Sequence, residues 1–232
     1  MSHKFDIFFS LNSPNLTIAV FDNKTKNNIL LQSLDLSTKP QDFIGTDELN
    51  KIIENKIFEI EKITKQFLNE IYIMIEASHI NSIGLSISKD NEGKIIQKKD
   101  ILYLVQDARQ QIIRAYKKYT IAHILIDKYL LDKNQYDNLP DKTNCKNFSL
   151  DISFICIPNF LIKEIENVFK GHHIKVKKFL CSTYAKSISP NSNNVCQAGY
   201  NLINGINKKE VELIPRKVEK EGFFERLFHI FN

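Results

Sequence analysis

The stretch Ile71 to Ile188 decides the fold, and it opens with Ile71-Tyr72-Ile73-Met74-Ile75-Glu76-Ala77. This β-branched and aromatic run predicts a strand. Gly84-Leu85-Ser86-Ile87-Ser88 alternates as a second strand would, and Asp90-Asn91-Glu92-Gly93 supplies a turn after it. Asp100 then stands where a helix cap belongs, and Ile101, Leu104, Val105, Ala108, Ile112, Ile113 and Tyr116 recur with helical spacing. Ile121 to Leu131 and Phe148 to Ile157 read as further strands. Pro158 sits at the start of a second helix striped by Leu161, Ile162, Ile165, Val168 and Phe169. His173 to Lys177 alternates again and leads into Phe179-Leu180-Cys181-Ser182-Thr183-Tyr184-Ala185. Strands interleave with helices, so the block reads as mixed α/β, a sheet backed by two helices.

Outward from that block, Phe5 to Ser10, Leu16 to Asp22 and Ile29 to Leu36 are strand-like, the first two joined by Leu11-Asn12-Ser13-Pro14-Asn15. From Asp47, an apolar stripe of Leu49, Ile52, Ile53, Ile57, Ile60, Ile63, Phe67 and Leu68 predicts a long amphipathic helix ending near Glu70. Ser189-Pro190-Asn191-Ser192-Asn193-Asn194 is a polar linker before an apolar segment, Val195 to Gly205. Asn207 to Glu221 is charged and lacks apolar periodicity, and it reads as a tether.

Composition narrows the function classes. With 232 residues, 43% hydrophobic and 25% charged, the chain can bury a good-sized core and is not of disordered type. A net charge of +5 spread over scattered lysines gives no nucleic-acid footprint. Cys145, Cys156, Cys181 and Cys196 form no C-x-x-C pair and read as reduced core thiols rather than a metal site. His172-His173 has no third ligand at metal spacing, Asp127 and Asp132 have no carboxylate partner, and no G-x-S-x-G elbow is present. The expectation is therefore no catalytic residue, no cofactor and no metal. The first residues lack a signal-peptide pattern, and no run approaches the ~20 apolar residues needed to cross a bilayer.

The chemistry that does stand out is at the end, Gly222-Phe223-Phe224-Glu225-Arg226-Leu227-Phe228-His229-Ile230-Phe231-Asn232. At about 100° per residue, Phe223, Phe224, Leu227, Phe228, Ile230 and Phe231 fall within an arc of roughly 160°. Lys217, Lys220 and Arg226 lie beside that arc, the pattern of a helix lying on an anionic membrane surface. Six partly buried apolar side chains would contribute about 5–8 kcal/mol. That is a reversible anchor, about millimolar to micromolar, which becomes firm when several copies act together.

The order of these pieces resembles the bacterial cell-division protein FtsA, an actin-like family. Tyr72 to Ser82 stands for that family's "v-y-v-x-i-x-g-s-H-I-x-S", and Ile96 to Ala108 for its "I-T-x-x-D" helix. Ile121 to Asp132 is similar to "i-l-H-v-i-p-x-x-y-x-v-D", and Phe179 to Ala185 to its "P-L-A-S" turn, here without the proline. Val195 to Gly205 resembles the last core helix, "a-T-A-v-G-L-l-l-y-G". The resemblance implies an α/β (α+β) fold: N-terminal actin-like, RNase H-like strands over 1–46, an FtsA-type SHS2-like subdomain over 47–188, and the last core helix in 189–206. A linker over 207–221 and an amphipathic membrane helix over 222–232 complete it. The second half of the actin-like body, with its Gly-rich phosphate loop and the surface for the FtsZ tail, has no counterpart among these segments; the chain has seven glycines and no Gly-Gly pair. At the first phosphate loop, matched to "D-I-G", Ser10 replaces the aspartate and Asn12 the glycine.

The function implied is a divisome adaptor on the cytoplasmic face of the inner membrane, without ATP hydrolysis. Its partners would be the anionic membrane surface, divisome proteins (FtsZ among the candidates) and further copies of itself, not nucleic acid. Two alternatives stand beside it: a residual actin-like ATPase, and an adaptor of the same fold in a pilus or secretion platform.

Overall fold

A computed structural model describes residues 4–12, 15–35, 47–76, 80–207 and 209–212. The first strands, β1 (Phe5–Asn12), β2 (Asn15–Asp22) and β3 (Asn28–Asp35), form an antiparallel meander, with Phe5 opposite Asp22 and Asn12 opposite Asn15. Helix α1 (Asp47–Thr64) crosses to β4 (Glu70–Ile75), which lies parallel to β1. It turns Leu49, Ile53 and Ile60 into the core, as the stripe predicts, but it stops before Glu70. Lys65 takes a left-handed φ of 53° that breaks the helix. The Thr64 hydroxyl donates back to the Ile60 carbonyl at 2.8 Å, and the Glu61 carboxylate accepts from the Leu68 amide. Phe67, beyond the break, stays exposed, and so does Ile63 inside the helix.

A second unit is inserted after β4. It comprises β5 (Asn81–Asp90), α2 (Lys98–Ala115), β6 (Tyr119–Leu131), β7 (Asn134–Tyr136), β8 (Asn147–Pro158) and α3 (Asn159–Lys170). The chain then returns through β9 (Lys175–Cys181), parallel to β4, into α4 (Ser182–Ile188) and α5 (Val195–Ile203). Asp100 is not the cap of α2. Gln97 holds that position and its amide donates to the Asp100 carboxylate at 2.8 Å, while Lys89 pairs with the same carboxylate.

The strands of Ile71–Ile188 do not form one sheet. β4 and β9 join the meander in a five-stranded sheet, β3-β2-β1-β4-β9, and β5-β8-β6-β7 form a separate antiparallel sheet. The reason is burial: Ile71, Tyr72, Ile73, Met74 and Ile75 are buried in unbroken succession, and such a strand needs cover on both faces. α1 and α3 cover one face of the larger sheet, where Phe9 meets Phe169 edge-on at 5.1 Å. α4 and α5 cover the other, around Phe8, Phe21 and Tyr72. α5 comes so close that a Cβ on Gly199 would stand 2.5 Å from Met74 Sδ. α2 alone backs the smaller sheet, burying Leu104, Val105, Ala108 and Ile112 against Phe148, Leu150 and Phe154. The mixed α/β class is the architecture found.

Candidate functional site at the junction of the two sheets

The sequence points first to the membrane-facing residues, Lys217, Lys220, Phe223, Phe224, Arg226, Leu227, Phe228, Ile230 and Phe231; all lie outside the described residues. It points next to the first phosphate loop. Ser10 ends the buried part of β1, opposite Thr17 and Met74, with its side chain fully buried and its hydroxyl without a hydrogen-bond partner among the described residues. A neutral, desolvated hydroxyl cannot take the place of a carboxylate in a metal shell. A shallow pocket of 80 Å³ lies at the other ends of β1 and β4, between Lys4, Phe5, Phe67 and Glu70. Small-molecule sites are several times larger.

The remaining candidates have structural roles. Asp127 accepts a hydrogen bond from Ser153 at 2.5 Å, and Asp132 holds the amides of Lys146 and Asn147. All four cysteines are buried free thiols. Burial pushes Cys156 up to about 11 and Cys196 up to about 12, so neither is a nucleophile. Among the described residues no group of three or more His, Cys, Asp or Glu could hold a metal ion, and no helix is long and apolar enough to cross a membrane.

Where the sequence reads only a tether, the structure builds a polar cluster. β8 covers one edge of β6, and β7 covers the other edge only at Tyr129–Leu131. Residues 209–211 fill part of the uncovered edge. The Ile126 amide donates to the Lys209 carbonyl at 2.9 Å, the Val211 amide donates to the Ile124 carbonyl at 2.8 Å, and Glu210 bridges antiparallel to Leu125. Val211 packs against the smaller sheet's core. The reading of 207–221 as solvated tether is thus corrected for its first residues.

Glu210 reaches into the junction, where His123 is 1% exposed. His123 Nε2 accepts the Cys181 amide of β9 at 3.0 Å, so the neutral ring carries its proton on Nδ1, 2.8 Å from Glu210 Oε1. Lys178, also on β9, stands 3.4 Å from the same oxygen and 2.7 Å from Glu212. Asn207 donates to Glu210 Oε2 at 3.2 Å and to the phenol of Tyr184, whose ring packs on His123 at 4.9 Å. Burial works to raise the Glu210 pKa, but the His123 hydrogen bond and the charge of Lys178 outweigh it and hold the carboxyl below its ordinary value. For Lys178, burial works to lower the pKa, and the carboxylates of Glu212 and Glu210 raise it on balance. Burial, then Glu210, pushes Tyr184 up.

A His–Glu pair beside a cysteine suggests acid–base or nucleophilic catalysis. Here it is closed to that chemistry, because a backbone amide occupies Nε2 and the carboxylate occupies Nδ1, leaving no ring nitrogen for a substrate. The cluster ties together the smaller sheet through His123, the larger through Lys178 and Cys181, α4 through Tyr184, and the C-terminal segment through Glu210. It is a clasp. Sequence reasoning passed over Glu210-Val211-Glu212, whose polar–apolar–polar alternation is a weak strand signal, and His123, a lone polar residue in an apolar run.

No family model matches the chain, and no curated protein sequence matches it. Several solved structures are similar to it at low identity. The cytoplasmic domain of EpsL, an inner membrane component of the type II secretion system of Vibrio cholerae, is 11% identical, with 78% of this chain and 57% of that one covered and a TM-score of 0.38. The PilM–PilN type IV pilus biogenesis complex gives 7% identity, 78% and 48% coverage and a TM-score of 0.46. A Bacteroides thetaiotaomicron protein with an actin-like ATPase fold and unknown function gives 10% identity, 81% and 55% coverage and a TM-score of 0.34. The chain spans about half the length of these proteins.

Proposed function

We propose that the protein is an actin-like adaptor held at the cytoplasmic face of the bacterial inner membrane, presenting its smaller sheet and α2 to protein partners without hydrolysing ATP. The observation that carries this reading is Ser10: at the end of β1, where an actin-like ATPase needs a metal-shell carboxylate, the chain has a fully buried hydroxyl. The aromatic and basic pattern from Lys217 to Phe231 supports attachment to anionic lipid. The FtsA-like order of sequence segments supports cell division as the process, with an SHS2-like inserted unit, divisome proteins as partners and self-association adding avidity.

Calorimetric titration with Mg-ATP is expected to give no saturable heat, and an ATPase assay no turnover above the no-protein control. Turnover that is lost on Asn15→Ala would overturn the adaptor reading. Proteins cross-linked to this one at its own membranes decide the process: division proteins support the assignment, and pilus or secretion components replace it.

A further inference from the structure

We propose that Asn207 and residues 209–212 act as a releasable strap, a segment that Glu210 locks across the two sheets and whose release loosens both at once. The inference goes beyond the adaptor reading and does not depend on what the following residues bind.

Three features carry it. The strap is held by little: two backbone hydrogen bonds to β6, the partly buried Val211, and the polar contacts of Asn207, Glu210 and Glu212. Interior strands differ greatly, since β8 is paired on both sides from Phe148 to Cys156 and buries Phe148, Leu150, Phe154 and Cys156. Segments with so few contacts open far more often than the globular core. Second, the lock is one carboxylate. Without it, a buried imidazole N–H loses its acceptor while Lys178 keeps only Glu212, and an unmatched buried donor is unfavourable. Third, the ring is fixed by two contacts on opposite sides. Losing Glu210 frees His123 to turn, and the Cys181 amide then loses Nε2. The state of the strap on the smaller sheet is thereby felt by β9 of the larger one.

The test is hydrogen exchange on the full-length protein, resolved to single amides. In the unaltered chain the Ile126 and Val211 amides are expected to exchange faster than that of Phe154, through an opening insensitive to low denaturant. Glu210→Ala is expected to speed exchange at Ile126, Val211 and Cys181 by about tenfold or more, with Phe154 unchanged. Glu210→Gln, which keeps a neutral acceptor, is expected to do less. If Ile126 and Val211 exchange only with Phe154 in global unfolding, the strap is not releasable and the proposal fails. If Glu210→Ala leaves Cys181 protected, the coupling between sheets fails. Should Glu210→Ala not fold, the denaturant dependence of the unaltered chain and the Glu210→Gln variant still decide.

Discussion

The two sheets solve the same problem differently. The larger sheet is covered on both faces, so its central strands carry unbroken apolar runs, Phe8-Phe9 in β1 and Ile71 to Ile75 in β4. Among the described residues the smaller sheet is covered by α2 on one face only. Its other face carries polar pairs, Ser86 with Asp151 and Ser153 with Asp127. A sheet buried on both faces is a body; one with an open polar face leaves a surface for other molecules. The difference suits an adaptor, in which one part holds shape and the other meets partners.

The largest test of this contrast lies in the body. Phe9 is fully buried against Phe169, and Phe9→Ala is expected to cost about 3–5 kcal/mol in denaturant unfolding, enough to threaten folding. A loss under 1 kcal/mol would mean that the second cover layer is dispensable.

Ser10 sharpens the contrast with opposite sign. Removing an unpartnered buried hydroxyl in Ser10→Ala is expected to leave stability unchanged or raise it by about 1 kcal/mol, read as a higher melting temperature. Ser10→Asp would bury a charge and is expected to destabilise the fold without conferring nucleotide binding. Binding of Mg-ATP by Ser10→Asp would show that the phosphate loop survives.

Smaller effects are expected on the second sheet. The Asp100 carboxyl is held below its ordinary 3.8, first by its hydrogen bond to Lys89. A depressed folded-state value means that its contribution is present above pH 3.8 and is lost as pH falls through the lower folded value. Asp100→Asn should therefore cost stability at neutral pH and progressively less as acid is added. An equal cost at pH 7 and at pH 2 would assign it to the helix cap rather than to charge. Least of all, Ser86→Ala on the open face should change stability by less than about 0.5 kcal/mol.

Much of this contrast is legible in the sequence, for definite reasons. Period-two runs mark β5 and the 3.6-residue stripes mark α2 and α3, because each pattern reports one wet and one dry face, while the β-branched run Ile71 to Ile75 marks β4 by composition. What periodicity cannot report is which sheet a strand joins. β4 and β9 flank the inserted unit in sequence, yet they pair in parallel with the meander, a contact set by distant residues. The apolar pattern overruns the end of α1 for a related reason: Phe67 continues it, but the positive φ of Lys65 breaks the helix first. The clasp is not legible in the sequence because its signal is spread over His123, Lys178, Asn207 and Glu210, which only the fold brings together.

The central claim, a body tethered to a membrane through the aromatic segment Gly222 to Asn232, is tested most directly by sedimentation with anionic liposomes. Phe228→Glu places a charge in the apolar arc, and Glu225→Gln leaves the arc intact. The account predicts that the unaltered protein and Glu225→Gln pellet with the vesicles while Phe228→Glu stays in the supernatant. Equal pelleting of the two variants would contradict it.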